Sequence, residues 1–390
     1  MSRLPPKGAS DSNNSCYRRG CSLVVITTMK MMLLFATTPS ESALARSTTA
    51  TPPSVAAVPV ITKSDNSTSD MRGTRRGRRG LYHVDVTEAG QPCVPSPLWQ
   101  RKVDPSEYEF GCREIEDMLR GPQTFIGNGM VRDVSSVEYN GKTVAVKTLR
   151  EADGRKRQMA HLDKHNREML TLDALAGHRN IVGMLGLCGT TVVTEYYSHS
   201  FLEVVFRQGQ QLPIDKVVSM ALDAARGLQA LHEVAGCLHI DLKPQQLLVD
   251  DIGRVMLNDF NSVHPMSIDP TDGIYCPSQM SKRNRLTPWP SPESYAGKPL
   301  TDKSDIYSLG MIFFSLIAGQ LPYGGDQERL EAACSAGARP EIDTSWHRGF
   351  MKVVQEMWAK DPVERPSAGQ VVARLEYIQE EELGLSPGSS

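Results

Sequence analysis

Two aspartates in polar segments are the side chains best suited to chemistry in this sequence. Asp241 lies in His239-Ile-Asp-Leu-Lys-Pro-Gln-Gln246, and Asp259 follows eighteen positions later in Leu257-Asn-Asp-Phe-Asn261. Upstream, an alternating apolar run closes with Val144-Ala-Val-Lys147. Phosphoryl transfer needs such groups, because one carboxylate orients a hydroxyl, another holds a metal ion and a lysine binds phosphates.

These three segments, in this order and at this spacing, resemble the eukaryotic protein kinase family over residues 118–382. The resemblance implies an α+β fold of two lobes, with a small β-rich N-lobe and a larger helical C-lobe. It also implies ATP and Mg²⁺ or Mn²⁺ as cofactors and a protein as substrate. Lys243, two positions after Asp241, resembles serine/threonine kinases more than tyrosine kinases.

The resemblance gives the residues of the two polar segments specific roles. Asp241 would accept or orient the proton of the incoming hydroxyl, and Lys243 would steady the phosphoryl group. Asp259 would be the first metal ligand. Gln246 would be the second, at the position where the family has asparagine. Glutamine carries the same amide oxygen on a stem one methylene longer, so coordination of magnesium is chemically feasible.

Further matches concern the nucleotide. A glycine-rich loop within residues 126–134 would let backbone amides approach the phosphates, and Glu168 would hold Lys147 extended towards them. Backbone groups of the segment between the lobes would pair with the adenine edge. The residues that the resemblance assigns to ATP binding are Gly127, Gly129, Val134, Ala145, Lys147, Glu168, Glu195, Tyr197 and Leu248.

Several positions depart from the family pattern. Arg132 stands at the third glycine of the loop, where it would either stiffen the loop or place a cation near phosphate. Ile240 replaces the arginine that binds a phosphorylated activation segment, which makes activation by such phosphorylation less expected. Asn261 replaces a glycine, and asparagine tolerates the positive φ expected there. These departures keep open a pseudokinase that acts as a scaffold, and the offset of Thr287 keeps open a glycan or small-molecule kinase.

Other features predict how the domain holds together. Apolar residues spaced around Glu168 predict an amphipathic helix. By the resemblance, Glu293 would pair with Arg365 in the C-lobe, and Asp305 would brace the catalytic loop. The apolar run 306–318 is short for a bilayer and indicates a buried core helix.

The N-terminal part has a different composition from the rest. An apolar stretch at residues 23–36 follows two arginines, which is typical of a signal peptide, a signal anchor or a transit segment. It predicts membrane association or entry into the secretory pathway, with a cytoplasmic or organellar location as the alternative. The predicted divisions are 1–45 for this leader, 46–90 for a disordered Ser/Thr/Pro- and Arg-rich linker, 91–117 for a pre-kinase segment, 118–382 for the kinase domain and 383–390 for a flexible tail.

Composition adds two limits. The formal net charge of −2 gives no indication of nucleic-acid binding, and no pattern indicates an oligomeric state. Six of the eight cysteines follow residue 90, at spacings that match no zinc motif. They are either a few disulfides or isolated buried thiols, and Cys112 is the first cysteine to test for a partner.

Overall fold

The computed structural model describes residues 93–129, 131–206, 211–269, 275–276 and 289–385. The predictions for the leader 1–45, the linker 46–90 and Thr287 lie outside these residues. No helix within the described residues has both the length and the apolar character that crossing a bilayer requires.

The N-lobe is built on a five-stranded antiparallel sheet with the strand order β2-β3-β4-β6-β5. Its strands are β2 Thr124–Asn128, β3 Arg132–Tyr139, β4 Lys142–Leu149, β5 Met184–Cys188 and β6 Thr191–Glu195. The β3–β4 hairpin turns through Asn140 and Gly141, both with positive φ (52° and 78°), as an Asn-Gly hairpin turn requires. This hairpin fixes the register that pairs Val134 with Lys147.

One long helix, α2 (Arg155–Ala174), carries Glu168 beside this sheet. It follows Gly154, whose φ is 83°, and the chain turns away after it at Gly177, whose φ is 78°. A short helix, α1 (Cys112–Arg120), precedes the sheet and packs on β5. The predicted β-rich N-lobe and the helix that carries Glu168 are therefore confirmed. The prediction that this helix buries one apolar face is wrong, because most of its buried residues are polar. The buried residues are His165, Glu168, Leu170, Thr171, Leu172 and Asp173.

The C-lobe is mainly helical, as predicted. Its helices in the described chain are α3 Phe201–Phe206, α4 Ile214–Glu233, α5 Pro292–Tyr295, α6 Asp302–Ala318, α7 Gln327–Ala336, α8 Arg348–Met357 and α9 Ala368–Tyr377. The run 306–318 lies in α6, which is buried along almost its whole length and packs against α4 and α8. The prediction of a core helix there is confirmed.

Five short strands flank the segments that contain Asp241 and Asp259. They are β7 His199–Ser200, β8 Cys237–Leu238, β9 Leu247–Val249, β10 Val255–Leu257 and β11 His264–Pro265. The β9–β10 hairpin begins directly after Gln246 and ends directly before Asn258. The hairpin therefore accounts for the spacing of the two aspartates, because it leads the chain away after Gln246 and brings it back at Asn258, next to Gln246.

Two disulfides resolve four of the six cysteines that follow residue 90. Cys112 bonds Cys188, which ties α1 to the end of β5, whereas Cys237 and Cys334 are buried free thiols. Cys93 bonds Cys276 across 183 positions. Near that second crosslink a small sheet forms from β1 Val94–Pro95, β12 Ser267–Ile268 and β13 Tyr275–Cys276.

Both predicted structural contacts in the C-lobe are present. Arg365 forms two parallel bonds to Glu293, of 2.7 and 2.9 Å, with both side chains buried. The carboxylate of Asp305 accepts from the backbone amides of His239 at 2.7 Å and Ile240 at 2.9 Å. Through Asp305, the C-lobe core thus holds the backbone of the catalytic segment, residues 239–246.

We predict that the change Cys93→Ser with Cys276→Ser lowers the free energy of unfolding by about 4 kcal/mol, because it frees a long loop in the unfolded chain. Denaturant unfolding of the oxidised full-length protein measures this change. Reduction of the wild-type protein is expected to destabilise it further, since Cys112–Cys188 also opens. An unchanged midpoint in the double variant would contradict the prediction.

Candidate active site

The predicted pair of Lys147 and Glu168 is present. The Nζ atom of Lys147, on β4, lies 3.1 Å from Oε1 of Glu168, on α2. Only 8% of the lysine side chain and 1% of the glutamate side chain are exposed. Lys147 also donates to Oδ1 of Asn258 at 2.9 Å, so its ammonium group points towards the segment that contains Asp259.

Arg132 lies on the other side of the same glutamate. Its Nε atom donates to Oε2 of Glu168 at 2.5 Å, and its side chain is only 4% exposed. Burial opposes ionisation of Glu168, but Lys147 and Arg132 together lower the pKa of this carboxyl to about 2. The expectation of a cation near phosphate is therefore replaced by a cation held inside the lobe.

The catalytic segment brings three predicted residues together. One oxygen of Asp241, Oδ2, accepts from Nζ of Lys243 at 2.7 Å and from Nε2 of Gln246 at 3.2 Å. The side chains of Asp241 and Lys243 are 26% and 21% exposed, so this carboxylate is open to a reactant. Gln246 is buried, and its amide nitrogen is the part that faces Asp241.

The segment that contains Asp259, residues 257–261, is joined to the catalytic segment, residues 239–246, through Asn258. The backbone amide of Asn258 donates to the carbonyl of Gln246 at 2.9 Å, and its carbonyl lies 3.1 Å from Nε2 of His239. Next to it, Asp259 is half-buried, and desolvation of its carboxyl followed by the charge of Glu168 raises the pKa of that carboxyl. Asn258 is thus the link between the two carboxylate-bearing segments.

The expected positive φ at Asn261 is wrong. Asn261 belongs to a short 3₁₀ turn, Phe260–Ser262, and the left-handed residue is Asp259, with φ 62°. The side-chain amide of Asn261 donates to Oδ1 of Asp259. Phe260 is fully buried in this turn, which packs against α2.

Ile240 has a φ of 70°, which a β-branched residue rarely adopts. The bonds from Asp305 to the backbone of this segment hold the conformation. Strained backbone of this kind concentrates at functional sites. The position of Asp241, one residue later, depends on this strained turn.

Most of the residues predicted to bind nucleotide lie on the five-stranded sheet of the N-lobe or directly after one of its strands, whereas Glu168 lies on α2. Val134 pairs with both Gly127 and Lys147, and Ala145 pairs with Thr194. Leu248 belongs to a separate sheet and pairs with Ser200, shortly after the segment that joins the lobes. These residues therefore belong to two different sheets, the five-stranded sheet of the N-lobe and the small sheet formed by β7, β9 and β10.

The segment between the lobes is fixed by Glu195. Its Oε2 atom accepts from the amide of Gly183 at 2.9 Å and from the hydroxyl of Tyr197 at 2.6 Å. The side chains of Glu195 and Tyr197 are therefore used to shape the backbone. This agrees with an adenine contact made by backbone groups.

The residues present suit magnesium and a nucleotide. Asp259 and Gln246 offer carboxylate and amide oxygens, which Mg²⁺ prefers, and a cation would offset the cost of burying the Asp259 carboxylate. A Cβ atom added to Gly127 would meet no atom within 4 Å, so the loop leaves open space on that side. Backbone amides can approach a phosphate through such a space.

Two functional candidates, Asn258 and Lys164, were missed by sequence reasoning. Asn258 had a signal, since it is a polar residue directly after a buried strand. Lys164 lies one helical turn before Glu168 and donates to Oγ of Ser262 at 3.3 Å. Burial lowers its pKa, and the charges of Asp259 and Asp241 oppose that shift. The spacing of four to Glu168 was its only signal.

A sheet-based lobe that contains a buried lysine–glutamate pair, followed by a helical lobe that carries the Asp241 segment, defines a two-lobed phosphotransferase of the protein kinase type. Residues 119–375 match the family model for protein tyrosine and serine/threonine kinases. The chain therefore belongs to the protein kinase family.

Individual relatives agree with this assignment. Serine/threonine/tyrosine-protein kinase HT1 of Arabidopsis thaliana is 30% identical over 271 residues, which cover 66% of this chain and 67% of that protein. Serine/threonine-protein kinase 12 of the same plant is 28% identical over 305 residues, covering 76% of this chain and 63% of the relative. Dual specificity protein kinase shkD of Dictyostelium discoideum is 28% identical over 263 residues, covering 65% of this chain and 34% of the relative. The chain thus spans about a third of the Dictyostelium protein.

We predict that the protein loses stability as the pH falls from 6.5 to 4. Burial and Arg132 lower the pKa of His165 from 6.5 to about 4, so the unfolded chain takes up this proton first. The loss from this residue is at most about 3 kcal/mol. His264, whose pKa is also lowered to about 4 by burial and Arg167, adds to the same window.

The pH dependence of the unfolding midpoint measures this effect. The variant His165→Asn keeps an acceptor atom and does not titrate, so its pH dependence should be shallower than that of the wild type. His161→Asn, at an exposed site on the same helix, is the matched control. A wild-type midpoint that stays level across this range would contradict the prediction.

Proposed function

We propose that this protein is an active serine/threonine protein kinase that transfers the γ-phosphoryl group of ATP to protein hydroxyls with Mg²⁺ or Mn²⁺. The observation that carries the proposal is the chain of contacts from Glu168 through Lys147 and Asn258 to the catalytic segment. These contacts bring the phosphate-binding lysine and both carboxylates to one region. A scaffold has no need for that convergence.

Asp241 and Lys243 would act on the acceptor hydroxyl. The lone pairs of the Asp241 carboxylate would orient the hydroxyl and take up its proton as the hydroxyl oxygen bonds to the γ-phosphorus and ADP leaves. Lys243, 2.7 Å from Asp241, would offset the negative charge that develops on the transferring group. Lys147 would orient the nucleotide phosphates, because Glu168 holds its ammonium group in place.

Asp259 and Gln246 would hold the metal ion. When bound, magnesium neutralises charge on the phosphates and fixes their orientation. For Gln246 to serve, its amide oxygen has to face the metal ion while its nitrogen keeps the contact with Asp241. The substrate is proposed to be a protein, since the family and the relatives that were compared are protein kinases.

The alternative proposal is a pseudokinase scaffold. The bond from Asn261 to Oδ1 of Asp259 favours it, because that bond occupies an oxygen that a metal ion needs. The turn of Gln246 towards Asp241 favours it as well.

A glycan or small-molecule kinase is the third candidate. Activity on glycans and not on peptides would select that one.

We also propose that the protein works in an oxidising compartment such as the secretory pathway. The two disulfides, Cys93–Cys276 and Cys112–Cys188, support this location, because reducing compartments keep such thiols reduced. Fractionation of cells followed by alkylation of free thiols tests it. A fully alkylated protein from the cytosol would contradict it.

The test of the kinase proposal is transfer of labelled γ-phosphate from ATP to a mixed protein substrate by the full-length oxidised protein. Asp241→Asn is the matched blank, because it keeps the volume of the side chain and removes its charge. Magnesium-dependent transfer that is lost in the blank supports an enzyme. Equal signals from both proteins would contradict the proposal.

We predict that Gln246→Asn raises the rate of transfer by about an order of magnitude, which equals a barrier lower by about 1.4 kcal/mol. The shorter side chain would place the amide oxygen at the metal ion without a shift of the backbone. Initial rates at saturating ATP and a range of magnesium concentrations measure the change. A rate equal to or below that of the wild type would show that Gln246 does not limit metal binding.

A further inference from the structure

Each of the three side-chain nitrogen atoms of Arg132 has a partner inside the N-lobe. Its Nε atom donates to Glu168 at 2.5 Å, and Nη2 lies 2.7 Å from Nδ1 of His165. Its Nη1 atom donates to the carbonyl oxygens of Lys147 at 3.3 Å and Thr190 at 3.2 Å. A guanidinium group engaged in this way is fixed in both position and plane.

The two oxygens of Glu168 have different partners. Lys147 bonds Oε1, and Arg132 bonds Oε2. A carboxylate that is held by one cation can rotate about its last bond, whereas one that is held from both sides cannot. Arg132 therefore fixes the orientation in which Glu168 meets Lys147.

His165 supplies a second contact one helical turn before Glu168. Burial and Arg132 lower its pKa to about 4, so the ring is neutral near pH 7 and Nδ1 accepts from the guanidinium. Residues three apart lie on the same face of a helix. One arginine thus contacts α2 at two points, which sets both the rotation and the height of this helix against the sheet.

Neighbouring residues of α2 are bound to the start of the segment after Asp259. Lys164 donates to Ser262 at 3.3 Å, and Arg167 donates to the carbonyl of Val263 at 2.7 Å. A helix fixed by Arg132 therefore also fixes this turn. The position of Arg132 at the first residue of β3 couples the glycine-rich loop to both.

We propose that Arg132 is a positioning residue for phosphoryl transfer, acting through Glu168 to hold the ammonium group of Lys147 in its working place. This inference rests on the proposed kinase function. Arg132 acts in this role without contacting the nucleotide, since its guanidinium group is buried and each of its nitrogen atoms is bound inside the N-lobe. Where a glycine would leave the loop flexible, Arg132 instead fixes the position of α2.

The test compares Arg132→Met, which keeps the length and removes the charge, with Arg132→Lys, which keeps the charge and loses the fork. In the full-length oxidised protein we expect Arg132→Met to lower kcat about tenfold to a hundredfold, because Lys147 loses its fixed orientation. The KM for ATP should change only a few-fold, and Arg132→Lys should restore part of kcat. Arg226→Met, at a half-exposed ion pair in the C-lobe, is the control and should keep the wild-type kcat.

A double-variant cycle separates positioning from simple stability. If Arg132 acts through Glu168, Arg132→Met should have little further effect on kcat in a Glu168→Gln background. Equal fold-losses in both backgrounds would overturn the proposal. So would an Arg132→Met protein with wild-type kcat and only a lower unfolding temperature.

Hydrogen exchange distinguishes failure of this inference from failure of the kinase proposal. If the wild type transfers no phosphate, the kinase proposal fails, but exchange at residues 155–174 still reports on Arg132. Faster exchange there in Arg132→Met than in Arg226→Met is expected for a residue that fixes α2. Identical exchange in the two variants would overturn the positioning role.

Discussion

The structure depends on one buried charge, the carboxylate of Glu168. An ionised carboxylate with 1% of its side chain exposed costs several kcal/mol unless cations and hydrogen bonds surround it. Lys147 and Arg132 supply both, one from each of two neighbouring strands. Because α2 carries the glutamate, satisfying this one charge also decides where the helix lies. The sheet, the helix and the ammonium group that faces Asn258 are therefore a single electrostatic unit.

The second part of the site depends on the C-lobe core. Asp305, on the buried helix α6, accepts from the backbone amides of His239 and of the strained residue Ile240. The β9–β10 hairpin then carries the chain from Gln246 to Asn258, where backbone bonds rejoin the two segments. A rigid core thus holds an unfavourable backbone conformation. This places Asp241 at the surface, with its carboxylate partly exposed.

Much of this arrangement could be predicted from the sequence, because it follows from order and period. The spacing of the aspartates reflects a short hairpin, and the apolar run 306–318 reflects a buried helix. Glu168 could be paired with Lys147 because each lies in a recognisable element. The direction of the Arg132 side chain could not be predicted, since it depends on where α2 lies. The pairing of Cys93 with Cys276 spans 183 positions, and no local pattern indicates it.

The prediction of a positive φ at Asn261 is wrong for a related reason, because the tertiary structure decides which residue of a turn takes that conformation. A glycine in related sequences suggests a residue with positive φ, but the left-handed conformation falls two positions earlier, at Asp259. Sequence alone indicates that a tight turn is needed and leaves the residue that bears the strain open. The turn itself depends on the buried Phe260 and on the helix above it.

The most direct test of the central claim is calorimetric binding of ATP to the full-length protein with and without magnesium, using Asp259→Asn as the comparison. If the charge cluster around Glu168 organises a magnesium–nucleotide site, the wild type should bind ATP more tightly with magnesium, and Asp259→Asn should lose that gain. Binding that is absent, or that is equal in both proteins with and without magnesium, would contradict the claim.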